Sequence, residues 1–168
     1  MGEVVYKTES FRIEVVNYEE LPNVVRINET VLPENYPFYF YELLYRNYRK
    51  AFLVAKVDDR IVGYVMCRVE HALTMELLPK FYKIGHVVSI GVLPRYRRMG
   101  IGTTLMVKAL DALKNEYGCR EVYLEVRVSN IPAINLYKKL GFYIDRVVKG
   151  YYRDGEDAYI MKRSLRDW

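Results

Sequence analysis

The chain has 168 residues, 51% of them hydrophobic and 28% charged, with a formal net charge of +5. That balance excludes a disordered tail and suits one globular domain spanning residues 1–168 with its own core. The apolar runs are strand-length, short of the roughly 20 residues of a membrane helix, and Met1–Gly2–Glu3–Val4–Val5–Tyr6–Lys7 lacks the pattern of a secretion signal, so the expected location is the cytoplasm.

Phe11 to Val16 reads as a first strand. Asn17 is placed to cap the next helix, with Glu20 closing a capping box, and Leu21, Val24, Ile27 and Val31 form its apolar stripe. Pro33 ends that helix, and Leu32–Pro33–Glu34–Asn35–Tyr36–Pro37 is a loop before a second helix over Phe38 to Tyr48. Strands over Ala51–Val57 and Ile61–Val69 flank the turn Asp58–Asp59–Arg60. His71 to Lys83 reads as a long connection. His86 to Leu93 is continuously apolar apart from His86 and Ser89, which predicts a central strand covered on both faces. From Gly100 the period turns helical through Leu105, Ala109, Ala112 and Leu113, with Gly118 as a left-handed stop. Glu121 to Val126 is the next strand. Asn130 caps a helix carrying Ala133, Leu136, Tyr137 and Leu140 on one face, and Gly141 ends it. Phe142–Val148 and Asp157–Lys162 are the last strands. The order βααβββαβαββ predicts an α/β fold, a mixed sheet of about seven strands with helices on both faces.

Cys67 and Cys119 stand outside any Cys-x-x-Cys or Cys/His cluster, so no metal is expected and both thiols should be buried or half-buried. Asn28–Glu29–Thr30 matches a glycosylation sequon by chance. The positive charge suits an anionic ligand or proximity to nucleic acid and by itself decides neither.

The strongest signal runs from Val88 to Thr103: an apolar strand, a short turn with Arg97 and Arg98, then a helix start with Gly100 and Gly102. The first amides of a helix lack internal partners and carry the positive end of its dipole. Glycines there let a phosphate approach the bare backbone, so the arrangement suits a diphosphate. A Walker loop is excluded because no Gly-Lys-Ser/Thr follows, and a dinucleotide fingerprint is excluded because Leu105 occupies the third glycine's place.

Arg97-x-x-Gly100-x-Gly102, after Ile90–Gly91–Val92–Leu93–Pro94, resembles the acetyl-CoA motif of the GNAT acetyltransferase superfamily. Asn130-x-x-Ala133-x-x-Leu136–Tyr137-x-Lys139-x-Gly141–Phe142 resembles that family's second motif, and the likeness covers nearly the whole chain. More narrowly, Leu32–Tyr36, Gly85–Val87, Val126–Asn130 and Tyr151–Tyr159 are similar to the catalytic subunit of NatA-type protein N-terminal acetyltransferases, above all to archaeal relatives, which share Glu125. The resemblance implies a mostly antiparallel sheet and acetyl-CoA as co-substrate. The cofactor would meet Ile90, Val92, Arg97, Arg98, Met99, Gly100, Ile101, Gly102, Thr103, Asn130 and Tyr137.

The same likeness makes the α-amine of a protein or nascent peptide the acceptor, attacking the thioester directly in a ternary complex. Its proton would pass to Glu125 and His86 through a water. Tyr137 would stand near the thiolate leaving group, though its place on an apolar stripe also suits the core, and Asn130 also suits a plain helix cap. Glu34, Tyr36, Arg127 and Tyr152 would line the peptide site, Glu34 by pairing with the cationic amine or shaping the first-residue pocket; an exposed strand-end ion is the alternative for Arg127. A lysine side chain or small amine is the competing acceptor. A basic nucleic-acid or ribosome-binding module is the competing non-enzyme, with no helix-turn-helix or RNA-binding aromatic motif behind it. Weak ribosome association is compatible with catalysis. The expected partners exclude membranes and sequence-specific nucleic acid, and the expected state is a monomer or weak dimer.

Overall fold

In a computed structural model, which describes residues 2–168, the elements run β1 (Val4–Lys7), β2 (Arg12–Val15), α1 (Leu21–Val31), α2 (Phe38–Tyr48), β3 (Phe52–Val57), β4 (Arg60–Leu73), β5 (Phe81–Val92), α3 (Ile101–Asn115), β6 (Cys119–Arg127), α4 (Ile131–Lys139), β7 (Tyr143–Val148) and β8 (Ala158–Ser164). The strands form one eight-stranded sheet in the order β1-β2-β3-β4-β5-β6-β8-β7. Every neighbouring pair is antiparallel except β5 with β6, which is parallel.

Local chemistry explains the boundaries. Asp58 and Asp59 both take positive φ (46° and 62°), as a two-residue hairpin turn between right-twisted strands requires. The chain enters α1 through a single 3-10 turn, Tyr18–Glu20, where the Asn17 amide donates to the Glu20 carboxylate at 3.0 Å. Gly118 closes α3 at φ 70°.

Helices cover both faces. Leu21, Val24 and Ile27 of α1 and Tyr41 and Leu44 of α2 pack on Phe52, Val54, Tyr64 and Met66. On the other face Leu105, Met106, Ala109, Leu110 and Leu113 of α3, with Ile134 and Tyr137 of α4, pack on Ile13, Val15, Leu53, Val65, Val122 and Leu124. β5 lies between them as expected, with Val87 and Ile90 on the α3 side and Val88 on the α1/α2 side.

The fold departs from the sequence reading in two places. The sheet has eight strands rather than about seven, because Val4–Lys7 pairs with β2 as a short, half-exposed edge that carries no readable alternation. The connection read over His71 to Lys83 is shorter: β4 and β5 stay paired out to Leu73↔Phe81, leaving only Thr74–Lys80 as the turn. Both faces of that hairpin end are partly exposed, so no apolar periodicity marks it.

One feature of the sheet creates the site. Parallel pairing of β5 with β6 stops at His86↔Tyr123. β5 remains bonded to β4 as far as Val92, and β6 to β8 as far as Arg127. The β4/β5 register shifts between Met66↔Ser89 and Cys67↔Val87, leaving Val88 as a bulge, and a bulge bends its strand. β5 and β6 therefore part beyond His86 and leave a gap between two strand edges.

Candidate active site

The segment after β5 is built as the sequence motif requires. Pro94–Tyr96 makes one 3-10 turn, Arg98 and Gly100 take positive φ (66° and 84°), and α3 starts at Ile101. The amides from Arg98 to Thr103 find no acceptor among the described residues. They form a row of free donors at the positive end of a helix, a site suited to a phosphate chain. A Cβ on Gly100 would meet nothing within 4 Å, so the loop is open to solvent there. Arg97 ties the loop to the strand, its Nε donating to the Val92 carbonyl at 2.9 Å. Arg98, Met99 and Thr103 are exposed, and the Ile101 side chain is buried in the core, so Ile101 can offer an anion only its amide.

The Leu93 amide donates to Val62 on the β4 side. Because strand amides alternate in direction, those of Val92 and Ile90 point the other way, into the gap left by β6. On α4, Tyr137 is buried in the core on the α3 face of the sheet, its ring 5.9 Å from Phe142. Burial alone pushes its phenol up to about 12. Asn130 caps α4, its Oδ1 accepting from the Ala133 amide at 3.3 Å.

Where the strands begin to part, on the α1/α2 face, stand His86 and Glu125. His86 Nε2 is 2.7 Å from Glu125 Oε2, and the imidazole is buried. The ring stacks on Tyr123 at 4.4 Å with only 4° between planes. Its Nδ1 accepts from Arg68 Nε at 3.0 Å. Arg68 also lies 3.0 Å from Glu70, which in turn accepts the Tyr123 hydroxyl at 2.8 Å. Burial and then Glu70 push the Tyr123 phenol well above its ordinary value. Arg68, Glu70 and Tyr123 were not found from sequence. They become visible only as the cross-strand and i±2 neighbours of His86 and Glu125.

Beside this pair lie the expected peptide-site residues. Tyr36 stacks on Phe40 at 5.0 Å, and its hydroxyl reaches the carbonyl of the bulged Val88 at 3.4 Å. Burial pushes its phenol up to about 12, with nearby tyrosines and the charges of Glu125 and Glu34 adding to the effect. Tyr152 is shifted upward as well, by burial first and Glu34 second. Arg127 is not an exposed strand-end ion. It holds Glu34 at 2.5 Å, Asp154 at 2.8 Å and Glu156 at 3.0 Å, with its guanidinium 4.1 Å over the Tyr152 ring. It thus ties the loop after α1 to the loop between β7 and β8. Glu34, read as pairing with the cationic amine or shaping the first-residue pocket, is paired with Arg127. Ser129 and then Arg127 hold the Glu156 carboxyl below its usual range.

A second polar group was also missed. Asn28, fully buried, donates to Tyr64 Oη at 2.9 Å and to the Glu34 carbonyl at 3.1 Å, and accepts from Asn35 at 2.9 Å. Tyr64 Oη is 2.6 Å from Ser89 Oγ on β5. This chain pins the Glu34–Tyr36 loop to the central strand. It also removes Asn28 from the reach of any modifying enzyme, in keeping with a chance sequon. Cys67 and Cys119 are free and buried, and burial raises both thiols, Cys119 to about 11. A raised, buried thiol is a poor nucleophile. Among the described residues, no cluster of His, Cys, Asp and Glu is fit to hold a metal and no helix is long and apolar enough to cross a membrane.

The profile of the Acetyltransferase (GNAT) family matches residues 21–142. A protein of Sulfurisphaera tokodaii described as an N-alpha-acetyltransferase is 50% identical over 160 residues, covering 95% of this chain and 96% of that one. The crystal structure of Ard1 from Thermoplasma volcanium superposes with a TM-score of 0.78 at 31% identity, over 92% of this chain and 97% of that chain. Arabidopsis thaliana Naa50, solved with the bisubstrate analogue CoA-Ac-MVNAL, gives a TM-score of 0.79 at 28% identity, over 92% and 99% of the two chains.

Proposed function

This chain belongs to the acetyltransferase (GNAT) family, and on that premise we propose that it is a protein N-terminal acetyltransferase whose residues 1–168 work as one catalytic domain. It transfers the acetyl group of acetyl-CoA to the α-amine of the first residue of a protein chain. The observation that carries this reading is the pairing of two features across one gap in the sheet. On one side is the row of unpartnered amides from Arg98 to Thr103; on the other is the His86–Glu125 pair. The Sulfurisphaera tokodaii relative and the Naa50 complex with its peptide-like analogue support the α-amine as acceptor.

The amides from Arg98 to Thr103, with Arg97 and Arg98, hold the pyrophosphate of acetyl-CoA. The pantetheine arm runs along the open edge of β5, meeting the amides of Ile90 and Val92, and delivers the thioester through the gap. The peptide enters between the Glu34–Tyr36 loop and Tyr152, with Arg127 bracing both walls. The uncharged amine attacks the thioester carbon, a C–N bond forms, and the carbonyl electrons move to oxygen. A strand amide can stabilise that oxyanion. Collapse breaks the C–S bond and releases the thiolate, which the Tyr137 hydroxyl stabilises by donating a hydrogen bond. The proton lost by the amine goes to the Glu125–His86 pair, through a water where the amine does not reach it directly. The transfer is direct, because no reactive thiol stands at the site.

The substrates are protein and nascent-peptide N-termini, met in the cytoplasm by a monomer or weak dimer. Weak ribosome association fits the charge of +5, and co-sedimentation with ribosomes over a salt series checks it. Mass spectrometry of peptides carrying an internal lysine, with free or blocked N-termini, tests the main claim. Label should appear on the α-amine and vanish when it is blocked. Transfer that survives blocking, on the lysine, would replace this reading with a side-chain acetyltransferase.

A further inference from the structure

We infer that Arg68 fixes the His86 imidazole in its Nε2–H form, so that Glu125 takes the amine's proton while His86 serves as its hydrogen-bond donor. The inference rests on the proposed acetyltransferase reading and divides the labour within its proton-accepting pair.

Arg68 and His86 face each other directly in the β4/β5 register. Arg68 Nε donates to Nδ1 at 3.0 Å. A guanidinium has only donors, so Nδ1 must present its lone pair. A neutral imidazole carries one N–H, which then sits on Nε2, 2.7 Å from an acceptor oxygen of Glu125. The opposite tautomer fails at both ends: it sets N–H against N–H at Arg68 and lone pair against carboxylate at Glu125. The ring cannot turn to escape, because it is buried and stacked flat on Tyr123.

Arg68 is itself held. Glu70 lies 3.0 Å from its Nε, and the Tyr123 hydroxyl fixes Glu70 from β6. The groups facing the imidazole are thus Arg68 and Glu70 from β4, and Tyr123 and Glu125 from β6. Glu70 is 3.8 Å from Nδ1, outside hydrogen-bond reach. With a cation donating to Nδ1, the ring has no free site on that side to take up a proton and hand it to Glu70. His86 therefore does not relay the proton. It orients the Glu125 carboxylate toward the gap, and Arg68 is a positioning residue one step behind it.

The test uses the full chain with His71, the exposed second histidine, replaced by Gln, so that one imidazole remains. Nitrogen-15 NMR of labelled histidine should show a protonated Nε2 and an unprotonated Nδ1. Arg68→Met should yield a tautomer mixture and lower kcat by about tenfold or more, with the KM for acetyl-CoA unchanged. Arg68→Lys, still a donor-only cation, should restore the Nε2–H form and most of kcat. A protonated Nδ1 in the parent protein overturns the inference, as does a Met variant whose tautomers mix while kcat holds. If Arg68→Met does not fold, the parent and Lys spectra decide. A parent protein with no acetyl transfer to any peptide would sink the functional reading instead, and the spectrum would still report the tautomer.

Discussion

Asn28→Asp alters one end of a buried side chain without changing its shape, and it should loosen the substrate-side loop while sparing the cofactor loop. The amide nitrogen of Asn28 donates to Tyr64 Oη at 2.9 Å and to the Glu34 carbonyl at 3.1 Å. An aspartate oxygen in that place loses the bond to the Glu34 carbonyl, puts a carboxylate where Asn28 has no exposed surface, and keeps Tyr64 only if that hydroxyl turns its proton away from Ser89. An unsatisfied buried group costs about 1–3 kcal/mol, and more when it is charged, so roughly 3 kcal/mol is a conservative total for the carbonyl and the carboxylate together. At about 2–4 °C per kcal/mol for a chain of this size, Tm should fall by about 6–12 °C. Calorimetric unfolding measures the loss, and steady-state kinetics locate it. The KM for peptide should rise, because the Glu34–Tyr36 loop is no longer pinned to Ser89, and acetyl-CoA binding by calorimetry should stay as it was. A drop below about 2 °C, or equal weakening of peptide and acetyl-CoA, would refute the reasoning.

Three further expectations follow from single observations. Gly100→Glu should abolish acetyl-CoA binding in calorimetry, since it puts a carboxylate before the free amides. Its stability cost should be only about 1–2 kcal/mol, from the left-handed backbone alone, because a Cβ there meets nothing. Tyr137→Phe removes a hydroxyl whose upward shift comes from burial alone, with no hydrogen bond among its causes, so Tm should hardly move while kcat falls; unchanged kcat would return Tyr137 to the core. At Glu14, burial raises the carboxyl but Arg12 and Lys56 outweigh it, and the net shift is downward. The folded state then favours the charged form. Its contribution is full above the unfolded value near about 4.3 and is lost as pH falls through the lower folded value. Glu14→Gln should therefore flatten the acid limb of Tm against pH, and an unaltered slope would remove Glu14 from that role.

The cofactor loop was legible because everything it needs is contiguous: a strand, two residues in left-handed conformation and a helix start within Val88–Thr103. Its donors belong to the backbone, so the strand, the turn and the glycines at the helix start announce them together. The helices were legible for the same reason, through caps at Asn17, Gly118 and Asn130 and stripes of period 3.6. The half-exposed end of the β4/β5 hairpin and the edge strand β1 were not, because neither buries a face that would stamp an alternation on the sequence.

His86, Glu125, Glu34, Tyr36, Arg127 and Tyr152 could be singled out only through family likeness, and what each of them touches came from the fold. Arg68 and His86 are 18 residues apart, His86 and Glu125 are 39, and Arg127 and Glu34 are 93. No local pattern records which side chains strand pairing will set opposite one another. By itself the amino-acid order determined the row of free amides before α3, since helix-start amides and glycine torsions are local properties. The gap between β5 and β6, the tautomer of the imidazole within it and the pinned wall of the peptide site were decided by tertiary structure, since each depends on register and burial across distant strands.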